Sequence, residues 1–248
     1  MKNKKNKKNK LKIGLLGGSG RMGQEVQAVL QTLSHEPFLF VGHKKEAQIL
    51  FSMSIPNLNN VENEILQDVD VWIDFSSPAG FFELLKSTSK TPIVSGTTGF
   101  TASELTQMNK EAQKRPLFWS SNMSVGLWTF RQALKSFSAL TQFDFALDEI
   151  HHTQKKDSPS GTALTLHQDL EKITNKKIPT PTAHRIGGIF GIHTVHAASA
   201  NEIISFKHEA LNRKVFATGA AQAAEWIVKQ KKGLYTMDDM LLKKRSLK

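Results

Sequence analysis

The stretch Glu149-Ile150-His151-His152-Thr153-Gln154-Lys155-Lys156-Asp157-Ser158-Pro159-Ser160-Gly161-Thr162-Ala163 gathers two histidines and two lysines into a loop that ends at a helix start. Histidine titrates near neutrality and is the commonest general acid or base. Lysine carries a compact positive charge suited to a carboxylate. Ser160-Gly161-Thr162 presents helix N-terminal N–H groups, which with the helix dipole form an anion site. Together these residue types point to proton transfer on a small anion. The bland alternative is a polar surface loop in which Pro159 and Ser160 only cap a helix. His151 and His152 also suggest zinc, but neighbours at a strand end face opposite sides. No carboxylate or third histidine has ligand spacing in the sequence. His184, His193, His196 and His208 are scattered, so no metal site is expected from them.

A second concentration of chemistry is Gly17-Gly18-Ser19-Gly20-Arg21-Met22-Gly23. Gly18, Gly20 and Gly23 satisfy G-x-G-x-x-G, and Gly17, Gly20 and Gly23 satisfy G-x-x-G-x-x-G. With a strand before and a helix after, such glycines allow a tight turn, close approach to pyrophosphate and helix–strand packing. The alternative is a plain tight turn. An acid about 20 residues on would bind the ribose 2′-hydroxyl of NAD. Here the sequence reads Val41-Gly42-His43-Lys44-Lys45, with no acid before Glu46. A solvated loop is one reading; a cradle of His43 and Lys44 for the 2′-phosphate of NADP is the other. Further polar rims follow at Asp74-Phe75-Ser76-Ser77-Pro78, at Ser95-Gly96-Thr97-Thr98-Gly99-Phe100, and at Ser120-Ser121-Asn122-Met123.

The elements that must position these loops follow from hydrophobic spacing. Leu11–Leu16 reads as a buried strand, and Arg21–Leu33 as a helix with Met22, Val26, Val29, Leu30 and Leu33 on one face. Strands are expected at Phe38–Val41, Val69–Phe75, Thr91–Ser95 and Pro116–Ser120. Helices are expected from Pro78 and over Ala102–Lys114. This alternation implies a doubly wound parallel α/β sheet. After about Met123 the rhythm changes to a helix near Trp128–Leu140, an alternating strand from Phe143, a helix over Thr162–Thr174, and strand-rich stretches at 184–196 and 202–217. That pattern suggests a second, α+β domain. Ala220–Lys231 reads as a helix able to pack back on the first. The expected division is a basic tail at 1–10, a dinucleotide domain at 11–123, a substrate and oligomerisation domain at 124–217, and the return segment 218–248.

Composition agrees with an ordinary globular protein: 39% hydrophobic and 22% charged residues are usual values, and no apolar run is long enough to span a bilayer. The absence of cysteine excludes disulfides, thiolate metal sites and a cysteine nucleophile. A cytoplasmic location is expected. The net charge of +11 is largely local, because six lysines lie in MKNKKNKKNK and leave about +5 elsewhere. A solvated tail explains that block; a polyanion-binding arm is the alternative.

With the motifs quoted, the chain resembles the 4-hydroxy-tetrahydrodipicolinate reductase family of lysine and diaminopimelate biosynthesis. The likeness rests on G-G-S-G-R-M-G, D-F-S-S-P, S-G-T-T-G-F, S-N-M-S-V-G and E-I-H-H-T-Q-K-K-D-S-P-S-G-T-A, with a weaker match at F-A-T-G-A-A-Q-A-A-E-W-I. It implies an N-terminal Rossmann domain, a C-terminal substrate and oligomerisation domain, and a homotetramer. NADH or NADPH would reduce a cyclic dicarboxylate made from aspartate semialdehyde and pyruvate, after loss of water. His151 corresponds to the proton donor and Lys155 to the catalytic lysine. His152, Gly161 and Thr162 match substrate-binding positions. Cofactor positions carry over to Gly17, Gly18, Ser19, Gly20, Arg21 and Met22, to Gly96, Thr97 and Thr98, and to Ser120, Ser121, Asn122 and Met123.

Three departures stand out: Ser158 replaces the usual alanine, the acid after the second strand is missing, and the region between Thr194 and Ile203 is shorter than usual. Two competing readings are another two-domain dehydrogenase acting on an amino or oxo acid, and a redox-sensing regulator using the lysine tail. The first would not require the His-His-x-x-Lys run before Ser-Gly-Thr. The second needs a nucleic-acid recognition element, which is not evident, so nucleic acid and membrane partners are not expected.

Overall fold

The computed structural model describes residues 10–33, 35–41, 53–55, 63–88 and 90–242. His43, Lys44, Lys45 and most of the lysine-rich start lie outside the described residues. The chain runs β1 (Lys12–Leu16), α1 (Arg21–Thr32), β2 (Glu36–Val41), β3 (Met53–Ile55), α2 (Asn63–Gln67), β4 (Val71–Asp74), α3 (Pro78–Ser87), β5 (Ile93–Ser95), α4 (Ala102–Glu111) and β6 (Pro116–Trp119). It continues with α5 (Val125–Leu134), β7 (Asp144–His151), α6 (Gly161–Thr174), β8 (Thr182–Arg185), β9 (Gly191–Ala198), β10 (Ile203–Ala210), α7 (Lys214–Ile227), β11 (Gly233–Tyr235) and α8 (Met237–Leu241). Among the described residues, no helix is long and apolar enough to cross a membrane.

Two compact units emerge. One comprises the described chain through Met123 together with the part from Phe216 onward, and the other is Ser124–Val215. The first holds a seven-stranded sheet in the order β11-β6-β5-β4-β1-β2-β3. Every neighbouring pair is parallel. The central strands β4 and β5 are buried along their whole length, because helices cover both faces of such a sheet. Trp72, Phe81, Leu84, Ile93, Met108 and Leu117 form its core. Helix starts are set locally. Ser77 caps α3 by accepting from the Gly80 N–H at 3.2 Å, with Pro78 at the first helical position. Thr101 and Glu104 form a reciprocal capping box on α4.

The C-terminal boundaries differ from the sequence expectation. Residues 214–217, read as the end of a strand-rich stretch, begin α7, and that helix ends at Ile227 rather than Lys231. The alanine-rich string favours helix intrinsically, and Ala217, Ala220, Ala221, Ala223 and Ala224 are all buried. A Cβ at Gly219 would fall 1.8 Å from the Met123 carbonyl oxygen, so only a residue without a side chain lets the helix approach there. The expected helix at Trp128–Leu140 starts at Val125 and tightens to a 3-10 turn over Lys135–Ala139. The short elements β3, α2, β11 and α8 carry too little periodic pattern to be read from sequence.

The second unit is a four-stranded mixed sheet in the order β10-β9-β7-β8. Its β10–β9 and β9–β7 pairs are antiparallel and its β7–β8 pair is parallel. Leu127, Phe130, Phe137, Leu147, Leu166 and Val195 form its core against one sheet face. The connection between β9 and β10 is tight, with the Ser199 N–H donating to the Glu202 carbonyl at 2.9 Å.

Candidate active site

In the parallel sheet, β1 pairs with both β2 and β4, so the strand order reverses there. Ligands of open α/β sheets bind outside the carboxyl ends of the strands at such a point. The glycine loop sits at that end. Gly17 adopts φ +77°, and a Cβ on it would meet the Phe75 backbone oxygen at 2.5 Å. At Gly23 a Cβ would meet the Gly17 oxygen and the Gly18 Cα, both at 2.4 Å, so α1 and the loop interlock only with glycine. Gln27, which sequence reasoning missed, is buried and donates through Nε2 to the Gly18 carbonyl at 2.9 Å. The α1 cap, Gly20, provides no side-chain acceptor and the first turn holds no acid. This end of α1 therefore suits an anion. The backbone cradle fits the pyrophosphate of a dinucleotide.

Asp74 ties the next two rims together. It is fully buried; Oδ1 accepts from the Ser76 N–H at 3.0 Å, and Oδ2 accepts from Ser95 Oγ at 2.7 Å and Thr97 Oγ1 at 2.8 Å. Burial pushes its pKa up, and these hydrogen bonds oppose that shift. The Thr97 hydroxyl is thus held inside the fold, while Thr98 is exposed. Gly96 lies against the Phe75 ring, where a Cβ would come within 2.1 Å. The Ser120 N–H donates to the Ser95 carbonyl at 3.2 Å, which places the Ser120–Met123 rim beside the Ser95–Thr98 rim. Ser120 Oγ donates to the Asn122 carbonyl at 2.6 Å, Ser121 is exposed and Met123 is buried.

In the second unit, alternation along β7 brings Phe145, Leu147, Glu149 and His151 to the buried face. The first two feed the apolar core and the last two make a polar end. Register supplies the rest: Glu149 opposes His193 on β9, and His151 opposes Arg185 on β8. Glu149 is completely buried; Oε1 accepts from the Ser160 N–H at 2.9 Å and from Arg185 Nη2 at 2.9 Å, and Oε2 accepts from the Ser160 hydroxyl. Nδ1 of His151 is 3.3 Å and Nε2 of His193 is 3.6 Å from Oε2. Burial would raise the Glu149 pKa, but the hydrogen bonds from His193, Ser160 and Arg185 outweigh it and hold the carboxylate well below its ordinary range. Burial lowers the His151 pKa to about 4; Glu149 works against that, while His193, Lys155 and Arg185 reinforce it.

Lys155 pairs with Asp157 at 2.8 Å. The Asp157 carboxyl loses solvation, yet its hydrogen bond to Lys155, helped by one from Gly161, keeps its pKa low. Asp157 thus sits as a carboxylate on the Lys155 ammonium, close to the start of α6. Ser160 caps α6 by accepting from the Ala163 N–H at 3.1 Å, which leaves Gly161 and Thr162 as the first helical residues. His152 is half-buried just past the end of β7.

The expectation that His193 stands apart is corrected. Glu149, His151 and His193 each offer a ligand atom, all within 4.8 Å of one another. Strand register, invisible in the sequence, brings them together. The Arg185 cation already neutralises this carboxylate, and Ser160 occupies both of its oxygens. That donor set is an anion's pocket in which a metal ion would displace bonds already made.

Comparison with known proteins agrees with this arrangement. The family model for the N-terminus of dihydrodipicolinate reductase matches residues 11–123, and the model for its C-terminus matches residues 126–241. The chain belongs to the dihydrodipicolinate reductase family. A 4-hydroxy-tetrahydrodipicolinate reductase from Bdellovibrio bacteriovorus is 46% identical over 236 residues, covering 94% of this chain and 97% of the relative. The Nitratiruptor enzyme of the same name is 35% identical, covering 93% and 99%. Among solved structures, a dipicolinate-bound dihydrodipicolinate reductase from Paenisporosarcina superposes with a TM-score of 0.77 at 23% identity, covering 94% of this chain and all of that one. An aspartate dehydrogenase from Thermotoga maritima superposes with a TM-score of 0.52 at 12% identity, covering 90% and 98%. The two superpositions speak for the fold alone. Within the dihydrodipicolinate reductase family, the dinucleotide-binding Rossmann domain is the N-terminal one.

Proposed function

We propose that the chain reduces 4-hydroxy-tetrahydrodipicolinate to tetrahydrodipicolinate with NADH or NADPH, in the cytoplasm, on the way to diaminopimelate and lysine. The observation that carries this reading is the carboxylate-accepting pair of Lys155 and the α6 N-terminus, close in sequence to a buried histidine. Gly17 to Met22, Gly96 to Thr98 and Ser120 to Met123 would hold the dinucleotide. When bound, the dinucleotide supplies a hydride. Loss of water from the hydroxylated ring leaves it unsaturated, and reduction then adds that hydride and one proton.

His151 supplies the proton and Lys155 neutralises a substrate carboxylate, while Gly161 and Thr162 offer backbone N–H groups and His152 adds a polar contact. With its pKa near 4 the unliganded His151 is neutral at pH 7. Two substrate carboxylates beside it would favour the imidazolium, so proton uptake should accompany binding. The deciding experiment follows NAD(P)H loss at 340 nm with freshly generated substrate. No turnover by the purified chain, with a family relative active in the same assay, would overturn the proposal.

For assembly, we propose a homotetramer built on the second sheet. The face opposite its core carries Ala146, Asp148, Ile150, Ile192 and Thr194, and none of these is buried. On it His196 Nε2 donates to Asp148 Oδ2 at 3.0 Å, and its Nδ1 shares a hydrogen bond with the Ser205 hydroxyl at 2.8 Å. Light scattering after size exclusion tests this, and a monomer at micromolar concentration would rule it out.

A further inference from the structure

Glu149 lies outside the residues that would touch substrate, yet it is the most completely hydrogen-bonded carboxylate beside them. A buried charge is costly, and replacing such an ion pair by apolar residues is often neutral or stabilising, so stability alone is a weak reason for it. An ionised carboxylate offers about four lone-pair sites. Three are taken by the Ser160 N–H, Arg185 Nη2 and the Ser160 hydroxyl. The rest of Oε2 faces two imidazoles, His151 Nδ1 at 3.3 Å and His193 Nε2 at 3.6 Å, and His151 is the nearer. His151 Nδ1 is buried and completes no hydrogen bond among the described residues, and Glu149 Oε2 stands beside it. His193 is placed less closely and has an alternative in Ser160 Oγ at 3.4 Å. On the other side of the imidazole, a Cβ added to Gly191 would fall 2.9 Å from Nε2, so the missing side chain leaves that nitrogen room.

We infer that Glu149 is a positioning residue for proton donation: fixed by Ser160 and Arg185, it holds the Nδ1 side of His151, so that the neutral ring keeps its proton on Nδ1 and exchanges protons with substrate through Nε2. The protonated ring gives its Nε2 proton to the substrate and returns to the Nδ1–H form already facing Oε2. The groups facing His151 are Glu149 on its own strand, His193 on β9, Arg185 on β8 and Lys155 in the following loop. Only Glu149 is anionic. Its removal leaves Arg185 without its carboxylate, while Lys155 keeps Asp157, and lowers the proton affinity of His151.

This inference rests on the reductase reading, and its first test needs no turnover. In the wild-type holoenzyme, ¹⁵N chemical shifts of labelled histidine should show the Nδ1–H tautomer for His151, assigned by loss of its signal in His151→Asn. An Nε2–H tautomer overturns the inference and leaves the reductase reading standing. A chain without reductase activity would remove that reading whichever tautomer is found. In Glu149→Gln, kcat should fall about 100-fold, with the KM for NADPH unchanged. The basic limb of the kcat profile should move down by about one pH unit or more, as loss of an adjacent opposite charge dictates. Glu149→Asp keeps the charge and should restore the wild-type limb. A Gln variant that loses activity without moving the limb would make Glu149 merely structural and refute the proposal. Should that variant fail to fold, the tautomer measurement decides alone.

Discussion

Replacing Lys155 by alanine should weaken binding of pyridine-2,6-dicarboxylate, a planar analogue of the cyclic substrate. A hydrogen bond from a charged group is worth about 1.5–3 kcal/mol. Two features of the site adjust that range. The Lys155 side chain is 23% exposed, so its charge is only partly desolvated. Its resting partner Asp157 is 54% exposed, and an ion pair that open to water contributes no more than about 1 kcal/mol. Displacing Asp157 subtracts at most that much, and a net loss of about 0.5–3 kcal/mol remains. At 1.4 kcal/mol per decade, that is about a 2- to 140-fold rise in Kd. Alanine also leaves the Asp157 carboxylate unneutralised beside an anionic ligand, which pushes the effect towards the upper end. Removing Asp157 as well should recover part of the loss. Calorimetric titration of the NADPH-loaded protein measures all three Kd values. An unchanged Kd for Lys155→Ala, or a double variant weaker than the single one, would show that this pair is not the carboxylate site.

The remaining predictions concern the proton, the loop and the cofactor. Dicarboxylate binding at pH 7 should take up protons and weaken as pH rises, since a group held near pKa 4 must gain its proton on binding. Calorimetry in buffers of different ionisation enthalpy reads that uptake, which should vanish in His151→Gln, while kcat falls by about 10²- to 10⁴-fold; wild-type turnover there would remove His151 from the mechanism. Gly23→Ala places a Cβ 2.4 Å from the Gly17 oxygen and should destabilise the fold by about 1–3 kcal/mol while raising the KM for both cofactors. An unaltered melting temperature and KM would contradict the interlocked loop. Lys44→Ala with Lys45→Ala should raise the KM for NADPH by about 10- to 100-fold and spare NADH; equal changes would mean that the lysines do not touch the 2′-phosphate.

Much of the function was legible in the sequence because its loops are local. The glycines at 17, 20 and 23 interlock within one turn, so their spacing alone announces a strand–loop–helix. The run from His151 to Thr162 likewise joins strand end, lysine and helix start in one short stretch. Long elements with a strong apolar period were readable to within a few residues, whereas β3, β11 and α8 owe their existence to neighbours they pair with or pack on. Asp74 could be named from its string, but not its reach to Ser95 and Thr97, which depends on the parallel pairing of β4 with β5. Arg185 and His193 show the limit most clearly. Nothing near them in the sequence marks them as partners of Glu149 and His151. A strand's side-chain period of two says only which face a residue shares, and a slip of one residue would turn both away. Their meeting is decided by the register of β8 and β9 against β7, a property that exists only when the sheet has formed.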